Sequence, residues 1–223
     1  MPPVPRPFPR FIADSPAEGR PYGRWAERMT QEFQRACEPH ADEAGAALDA
    51  ESVKWFPERR WGDRVHVPAT GRGQSVAGAE AGDAPGASGP VQVEYFGWVS
   101  FERPPDGEPG ELRASADFTD VTAEDNPQWK IDLSDDVIGT WHAEGDRGGD
   151  ITLVWGLPMV RGAVAATAEL DGEVLDQAAV QDGRFTLVAV DAVRGFGDEL
   201  YLEIKLWDRT LRAIATESLY EVD

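Results

Sequence analysis

The sequence predicts a mainly β protein: an antiparallel β-sandwich of about ten short strands, preceded by a proline-rich arm, one amphipathic helix and a short hairpin. Apolar and polar residues alternate through most of the chain beyond residue 90, which is the pattern of strands with one buried face. Turn residues interrupt this alternation about every 8 to 12 residues, as they do between the short strands of a sandwich. Strands do not alternate with long helical patterns, so parallel βαβ units are not expected.

Residues 1–68 predict the arm, the helix and the hairpin. Prolines recur through residues 1–11, which favours an extended arm of polyproline type. A helix is expected over residues 22–38, because apolar residues recur there at three- and four-residue spacing and Pro39 ends the pattern. Residues 53–56 and 64–67 are expected to form the hairpin. The apolar stripe of the helix consists of Tyr22, Trp25, Met29, Phe33 and Cys37.

Residues 69–90 are small, polar and rich in glycine and alanine, which predicts a flexible tether. The predicted division is therefore 1–68 for the arm, helix and hairpin, 69–90 for the tether and 91–223 for an acidic β-sandwich domain.

Within residues 91–223 the clearest pattern is a series of hairpins over residues 159–190. Asp171-Gly172 and Asp182-Gly183 supply tight turns, and the alternation between and after them gives each strand one apolar face. The other strands are expected at 91–102, 112–118, 129–133, 137–141, 151–155, 200–207 and 211–222.

The charge is strongly negative and unevenly distributed. The net charge is −20, and residues 91–223 carry 10 Lys and Arg against 28 Asp and Glu. Such a surface repels phosphate backbones and anionic lipid head groups. Nucleic acid and membranes are therefore not expected as direct partners.

Cysteine usage and hydropathy point to a cytoplasmic protein. Cys37 is the only cysteine, so an intrachain disulfide is excluded and a reducing compartment suits the chain. Prolines interrupt the first residues where a signal peptide would need an apolar core, and no apolar run is long enough to span a bilayer.

Motifs for catalysis are missing from the sequence. It contains no Gly-x-Ser-x-Gly elbow and no phosphate-binding loop that ends in Gly-Lys-Ser/Thr. His142-Ala143-Glu144 begins like a zinc-deaminase signature, but that signature requires a cysteine pair. Cys37 continues an apolar stripe and is expected in the core. His40, His66 and His142 could form a metal site only if the fold brought them together, and scattered histidines are the simpler interpretation.

Acidic segments offer a candidate calcium site. If residues 129–133 and 137–141 were successive antiparallel strands, the loops before the first and after the second would lie at the same end of the sandwich. Oxygen-rich loops in that position can bind Ca2+, although no EF-hand spacing occurs and solvated acidic turns are the alternative. No other cofactor is expected. The candidate ligands are Asp117, Asp120, Glu124, Asp125, Glu144, Asp146 and Asp150.

Four aromatic residues fall on strand faces that are otherwise polar, which suggests that these faces are covered. Either the N-terminal helix or the Trp55–Trp61 hairpin packs over one of these faces, or another protein covers them; a carbohydrate-stacking platform is the third alternative. The candidate partner-binding residues are Phe96, Trp98, Tyr201 and Trp207 on the strands, with Trp25 and Phe33 on the helix.

These features favour a non-catalytic protein that acts by protein–protein contact, as an accessory or assembly subunit whose partner is another protein or a larger assembly. A calcium- or carbohydrate-binding β-sandwich is one alternative. An enzyme with a carboxylate pair assembled from two distant loops is another, because such pairs leave no fixed spacing in a sequence.

Overall fold

The computed structural model describes residues 25–75, 93–102, 110–142, 148–190 and 202–219. Among them are α1 (Ala26–Cys37), α2 (Ala41–Ala44) and thirteen strands, paired antiparallel throughout. The predicted mainly β, antiparallel fold class is confirmed. The strands are β1 (Ala46–Leu48), β2 (Lys54–Trp55), β3 (Arg59–Trp61), β4 (Arg64–Ser75), β5 (Glu94–Glu102), β6 (Arg113–Thr119), β7 (Ile131–His142), β8 (Gly148–Pro158), β9 (Ala165–Leu170), β10 (Glu173–Ala179), β11 (Phe185–Val190), β12 (Leu202–Trp207) and β13 (Ala213–Leu219).

The described chain divides into two compact units at residue 129. The N-terminal unit contains α1, α2 and β1–β6, and the C-terminal unit contains β7–β13. This division differs from the predicted one, because the predicted sandwich domain of 91–223 contributes β5 and β6 to the N-terminal unit. The helix and the hairpin therefore share a core with strands that the sequence assigns to another domain.

The N-terminal unit is a six-stranded sheet covered on one face by α1. The central path of the sheet is β1-β4-β5-β6, and the short strands β2 and β3 also pair with β4. The apolar stripe of α1 is buried at Met29, Phe33 and Cys37, as the periodicity predicts. It packs against sheet residues that include Val67 and Tyr95. The Tyr95 hydroxyl donates a hydrogen bond of 2.6 Å to the carbonyl of Ala46, which ties β5 to β1 inside this core.

The first residues of the predicted tether form a strand. β4 continues through residues 69–75 and pairs with β5 and β1. The chain is crowded here: a Cβ at Gly73 would lie 2.9 Å from the Ala46 Cβ and 3.1 Å from the Val93 Cβ, and one at Gly71 would lie 2.6 Å from the flexible end of Leu48, which would have to move. These glycines therefore mark a crowded strand, whereas the sequence alone suggests flexibility. The rest of the predicted tether, and the predicted arm, lie outside the described residues.

The C-terminal unit consists of two sheets that share a core. Their strand orders are β10-β9-β12-β13 and β11-β8-β7. The alternation predicts the inward face of β11 correctly, since Phe185, Leu187 and Ala189 are wholly buried. They belong to one core cluster with residues of β9 and β12 in the other sheet, including Ala166 and Ile204. This arrangement is a β-sandwich.

The hairpin series changes sheets at its second turn. Asp171-Gly172 and Asp182-Gly183 all have positive φ, as a type I′ turn requires. The first turn joins β9 to its neighbour β10, but the second leads from β10 to β11 in the other sheet. The Asp176 carboxylate of β10 accepts a 2.8 Å hydrogen bond from the Val188 amide of β11, so the two sheets are also linked through a side chain.

β7 is a single strand where the sequence predicts two. Ser134, Asp135 and Asp136 resemble a turn in the sequence, but all three pair with the apolar strand β8. The pairing with β8 overrides their turn propensity, and a register shift between Val137 and Gly139 is the only interruption of the β7–β8 ladder. Within the described ranges no helix has the length and apolar character to cross a membrane.

Candidate functional site

One end of the C-terminal sandwich collects the positive charge of this unit. Register places the start of β7 beside the end of β8, and Trp207 beside Ala165 and Ala213. The connections 159–164 and 180–184 join the two sheets at this same end. The segments that meet here are therefore Lys130 and residues 159–164, 180–184 and 208–212.

Five of the six described Lys and Arg residues from position 129 onward lie in these segments. The same segments contain two carboxylates, Asp182 and Asp208, and a third, Glu217 of β13, accepts a 3.4 Å hydrogen bond from the Lys130 amide. We call this surface the basic end and include in it two exposed apolar side chains, Met159 and Leu211, with exposed fractions of 47% and 39%. Arg184 is half-buried and the other four cations are exposed. These cations are Lys130, Arg161, Arg184, Arg209 and Arg212.

Asp208 organises the loop that carries Arg209, Leu211 and Arg212 of the basic end. Its Oδ1 accepts hydrogen bonds from the Thr210 hydroxyl at 2.6 Å, the Thr210 amide at 2.8 Å and the Arg212 amide at 3.1 Å. Its other oxygen lies 3.3 Å from the Arg212 guanidinium. These bonds, the one from the Thr210 hydroxyl most of all, lower the pKa of Asp208 to about 2. The backbone also reverses sharply, with a positive φ at Leu211. The 208–212 part of the basic end is thus a hydrogen-bonded loop with a defined backbone and a paired Arg212 side chain.

The described charges at the opposite end of this sandwich are negative. The 171–173 turn carries Asp171 and Glu173, both exposed, and Asp150 pairs with Thr140 near the last residues of β7. Among the described residues, the positive charge of the C-terminal unit is therefore concentrated at the basic end.

The sixth described cation, Lys205, lies on the outer face of the four-stranded sheet. Its Nζ lies 2.6 Å from Glu169 Oε2 and 3.0 Å from Glu203 Oε2. Burial lowers the pKa of Lys205, but the hydrogen bonds and charges of the two glutamates outweigh it and raise this pKa above its ordinary value. Lys205 is accordingly held protonated, which suits an ion-pairing role and not that of a base.

Trp207 continues this polar network. Its indole Nε1 donates a 2.8 Å hydrogen bond to Thr167 Oγ1, and the Thr167 hydroxyl donates to Glu169 Oε1 at 2.9 Å. The half-buried Trp207 is therefore held down on the sheet by its own hydrogen bond. This hydrogen bond explains why Trp207 lies on a polar strand face, and no partner protein is needed to account for it.

The other described candidate partner-binding aromatics belong to the N-terminal unit. Phe96 and Trp98 are half-buried on β5 in the N-terminal unit, and the Trp98 ring meets the His66 imidazole edge-on at 5.3 Å between centroids. Trp25 is half-buried beneath the Arg28 guanidinium, 4.6 Å from its ring centroid. Phe33 is wholly buried in the core, so it cannot be a contact residue on the surface. Tyr201 lies outside the described residues.

The N-terminal helix does not cover Phe96 or Trp98, contrary to one sequence-based alternative. Register places Phe96 opposite Thr70 and Trp98 opposite Pro68. The core under α1 instead contains Tyr95, Val99 and other residues of the opposite sheet face.

The described candidate calcium ligands divide between the two units. Because β7 is one strand, the chain does not return between the first and third acidic segments, and the argument that brings them to one end no longer holds. Asp117, Asp120, Glu124 and Asp125 lie in the N-terminal unit and Asp150 in the C-terminal unit; Glu144 and Asp146 lie outside the described residues. Among the described residues, no group of three or more His, Cys, Asp or Glu is arranged to hold a metal ion.

In the part of the chain that the structure describes, the cysteine and the three histidines that the sequence offers as candidates are not grouped into a site. Cys37 is buried in the core under α1, and burial raises the pKa of its thiol to about 12. His66 is 3% exposed, and its Nδ1 has no hydrogen-bond partner. Burial, with a smaller effect of the Arg64 charge, lowers the pKa of His66 to about 4. His40 lies 4.0 Å from Asp117 in the same unit, and His142 is exposed at the end of β7.

Comparison with protein-family models, curated proteins and solved structures finds no match to this chain. The functional argument therefore depends on the geometry of the chain itself.

Sequence reasoning does not find the basic end because its cations are scattered singly over more than 80 positions of an acidic sequence. Only the strand order brings them together. The available signal was that Arg161, Arg184 and Arg209 lie near alternate connections of a series of antiparallel strands, and alternate connections share one end.

Proposed function

We propose that this protein is a non-catalytic interaction subunit that binds an acidic surface of a partner protein through the basic end of its C-terminal unit. The observation that carries the proposal is the concentration of five cations and two exposed apolar side chains at one end of an otherwise acidic sandwich. Arginine together with an apolar anchor is typical of protein interfaces, in which charge guides the encounter and buried apolar contact supplies affinity.

A protein ligand fits this surface better than nucleic acid or a membrane. The basic end spans the width of one small sandwich, whereas the net charge of the whole chain is −20. A long polyanion would extend beyond the basic end over surface that repels it, since charges act over roughly 8 Å at physiological ionic strength. A compact acidic protein segment can end where the positive surface ends. A cytoplasmic setting is part of this proposal, because a chain with one cysteine needs no oxidising compartment.

The test is the binding of a short synthetic peptide of glutamate and leucine residues, measured by calorimetry with the full-length protein. Replacing Arg209→Glu and Arg212→Glu should weaken binding by roughly tenfold or more, because the peptide would then meet like charge. The matched control is Arg35→Glu with Arg113→Glu, which changes the net charge equally in the other unit at side chains that are 64% and 62% exposed. Equal loss of affinity in both double variants would refute a specific basic end.

Two further ligands complete that experiment. A peptide in which glutamine replaces glutamate should not bind, since it lacks the charge. A single-stranded oligonucleotide of the same net charge as the acidic peptide should bind more weakly than that peptide. An oligonucleotide that binds more tightly would assign the surface to nucleic acid and overturn the proposal of a protein partner.

A further inference from the structure

The N-terminal unit carries an exposed acidic surface, formed by the last residues of β6 and the loop that follows it, whose charge is opposite to that of the basic end. Asp117, Asp120, Glu124 and Asp125 are all exposed. Val121 lies among them, and at 54% it is the most exposed of the large apolar side chains in the described part of the chain. We call residues 117–125 the acidic loop.

This loop has a defined shape. The Thr119 hydroxyl accepts a 3.0 Å hydrogen bond from the Val121 amide, and Asp125 Oδ2 accepts one of 3.2 Å from the Thr122 hydroxyl. Asn126 Nδ2 donates to the Thr122 carbonyl at 2.9 Å, which closes the turn. Thr122 is buried beneath the loop while Val121 is held outward. An ordered loop loses little conformational freedom when it binds.

The two surfaces complement each other in charge and in apolar content. The acidic loop has four carboxylates, and Arg72 pairs with one of them at 3.0 Å from Glu124. The basic end has five cations and two carboxylates, and the Glu217 carboxylate lies beside Lys130. The acidic loop therefore carries an excess of about three negative charges and the basic end an excess of about two positive charges, each around exposed apolar side chains, which is the arrangement that favours a specific encounter.

We propose that the occupant of the basic end is the acidic loop of a second copy of this chain. This inference rests on the proposed function and names its partner. The contact pairs two different surfaces, so it either closes into a dimer with two equal contacts or continues into longer head-to-tail assemblies.

The net charge of the chain limits how strong this association can be. Two copies that each carry −20 repel one another at long range, especially in low salt. At physiological ionic strength that repulsion is screened beyond roughly 8 Å, whereas charges in direct contact are screened less. Self-association should accordingly be easiest to detect at high protein concentration and near physiological salt.

A charge exchange tests the contact independently of net charge. Arg209→Glu with Arg212→Glu reverses the basic end, and Asp120→Arg with Glu124→Arg reverses the acidic loop. Each double variant alone should lose self-association by at least roughly tenfold, because like charges would then meet. The chain with all four substitutions has the net charge of the original protein and should associate again, and so should an equimolar mixture of the two double variants.

Sedimentation velocity over a concentration series is the measurement, with circular dichroism to show that each variant is folded. Restored association in the four-fold variant and in the mixture supports the contact. Sedimentation that does not depend on concentration in the original protein overturns it, and so does a four-fold variant that remains as monomeric as either double variant.

The acidic peptide separates failure of this inference from failure of the proposed function. If the peptide binds the basic end while the protein stays monomeric, the basic end binds an acidic partner other than this chain. If neither the peptide nor a second copy binds, both proposals fail.

Discussion

Acidification should destabilise the N-terminal unit through His66, a buried neutral histidine on β4. Register places its backbone opposite Arg59 on β3 and Ser100 on β5, and Arg64 lies two residues away on the same face. Burial is the larger reason why its pKa falls to about 4 from the ordinary 6.5, and the Arg64 charge is the smaller one. Protonation of His66 is therefore unfavourable in the folded state.

The sign of the pH effect follows from this difference. Below about pH 6.5 the unfolded chain binds a proton at His66 that the folded chain does not, so the free energy of unfolding decreases as the pH falls. The loss is complete near pH 4, where the folded protein binds the proton too. A pKa difference of roughly 2.5 units corresponds to about 3 kcal/mol at most. Partial hydration through the half-buried Trp98 and Arg64 reduces the expected loss to about 2 kcal/mol.

Urea unfolding at pH 7.0, 5.5 and 4.5, followed by tryptophan fluorescence, measures this effect. His66→Leu removes the titration and also removes an imidazole nitrogen without a hydrogen-bond partner. The difference in unfolding free energy between the original protein and this variant should change by about 2 kcal/mol across that range. His142→Gln, at an exposed position, is the control. Parallel pH profiles for the original protein and His66→Leu would refute the account of His66.

Three further substitutions test the packing and the loop geometry. Cys37→Ser should lower the free energy of unfolding by about 1 kcal/mol or more, because a hydroxyl replaces a buried thiol in an apolar core; equal denaturation midpoints would contradict this. Tyr95→Phe should cost about 1 to 2 kcal/mol in the same assay, since it leaves the buried Ala46 carbonyl without its donor, and no change would show that the 2.6 Å bond contributes nothing. Asp208→Asn should reduce thermal stability above about pH 4 and flatten the loss of stability as the pH falls toward 2, because the folded carboxylate has its pKa lowered to about 2; an unchanged acid limb of the melting profile would refute the role of its hydrogen bonds.

The periodicity of apolar residues correctly predicts which side chains of a helix or strand face the core. The spacing of Met29, Phe33 and Cys37 identifies the buried stripe of α1, and the alternation at Phe185, Leu187 and Ala189 identifies the inner face of β11. In α1 the prediction depends on one wet face and one dry face, which the sequence records directly. In β11 the other face is buried too, at Thr186 and Val188, but Phe185, Leu187 and Ala189 are the residues that join the core between the two sheets.

The sequence is misleading where tertiary pairing overrides local preference. Gly71 and Gly73 suggest a flexible tether, but they allow close approach of β1 to β4. Asp135 and Asp136 suggest a turn, but they lie within β7 because the apolar strand β8 pairs with them. In both cases the structure is decided by pairing with another strand, and the residues of the segment itself do not show that pairing.

The basic end is even harder to predict from the sequence. Charge counted along the chain shows an acidic region, whereas strand order concentrates its cations at one end. The proposed self-contact depends in addition on the shape of the 117–125 loop, whose hydrogen bonds have no distinctive sequence pattern.

The most direct test of the basic end uses methionine methyl groups as site-specific probes. The chain has three methionines: Met159 is 47% exposed in the basic end, Met29 is buried under α1, and Met1 lies outside the described residues. With 13C-labelled methyl groups, titration with the acidic glutamate–leucine peptide should shift the Met159 resonance and leave the Met29 resonance unchanged, and Arg209→Glu with Arg212→Glu should abolish the shift. Binding of the peptide without any change at Met159 would contradict the assignment of the basic end as the interaction surface.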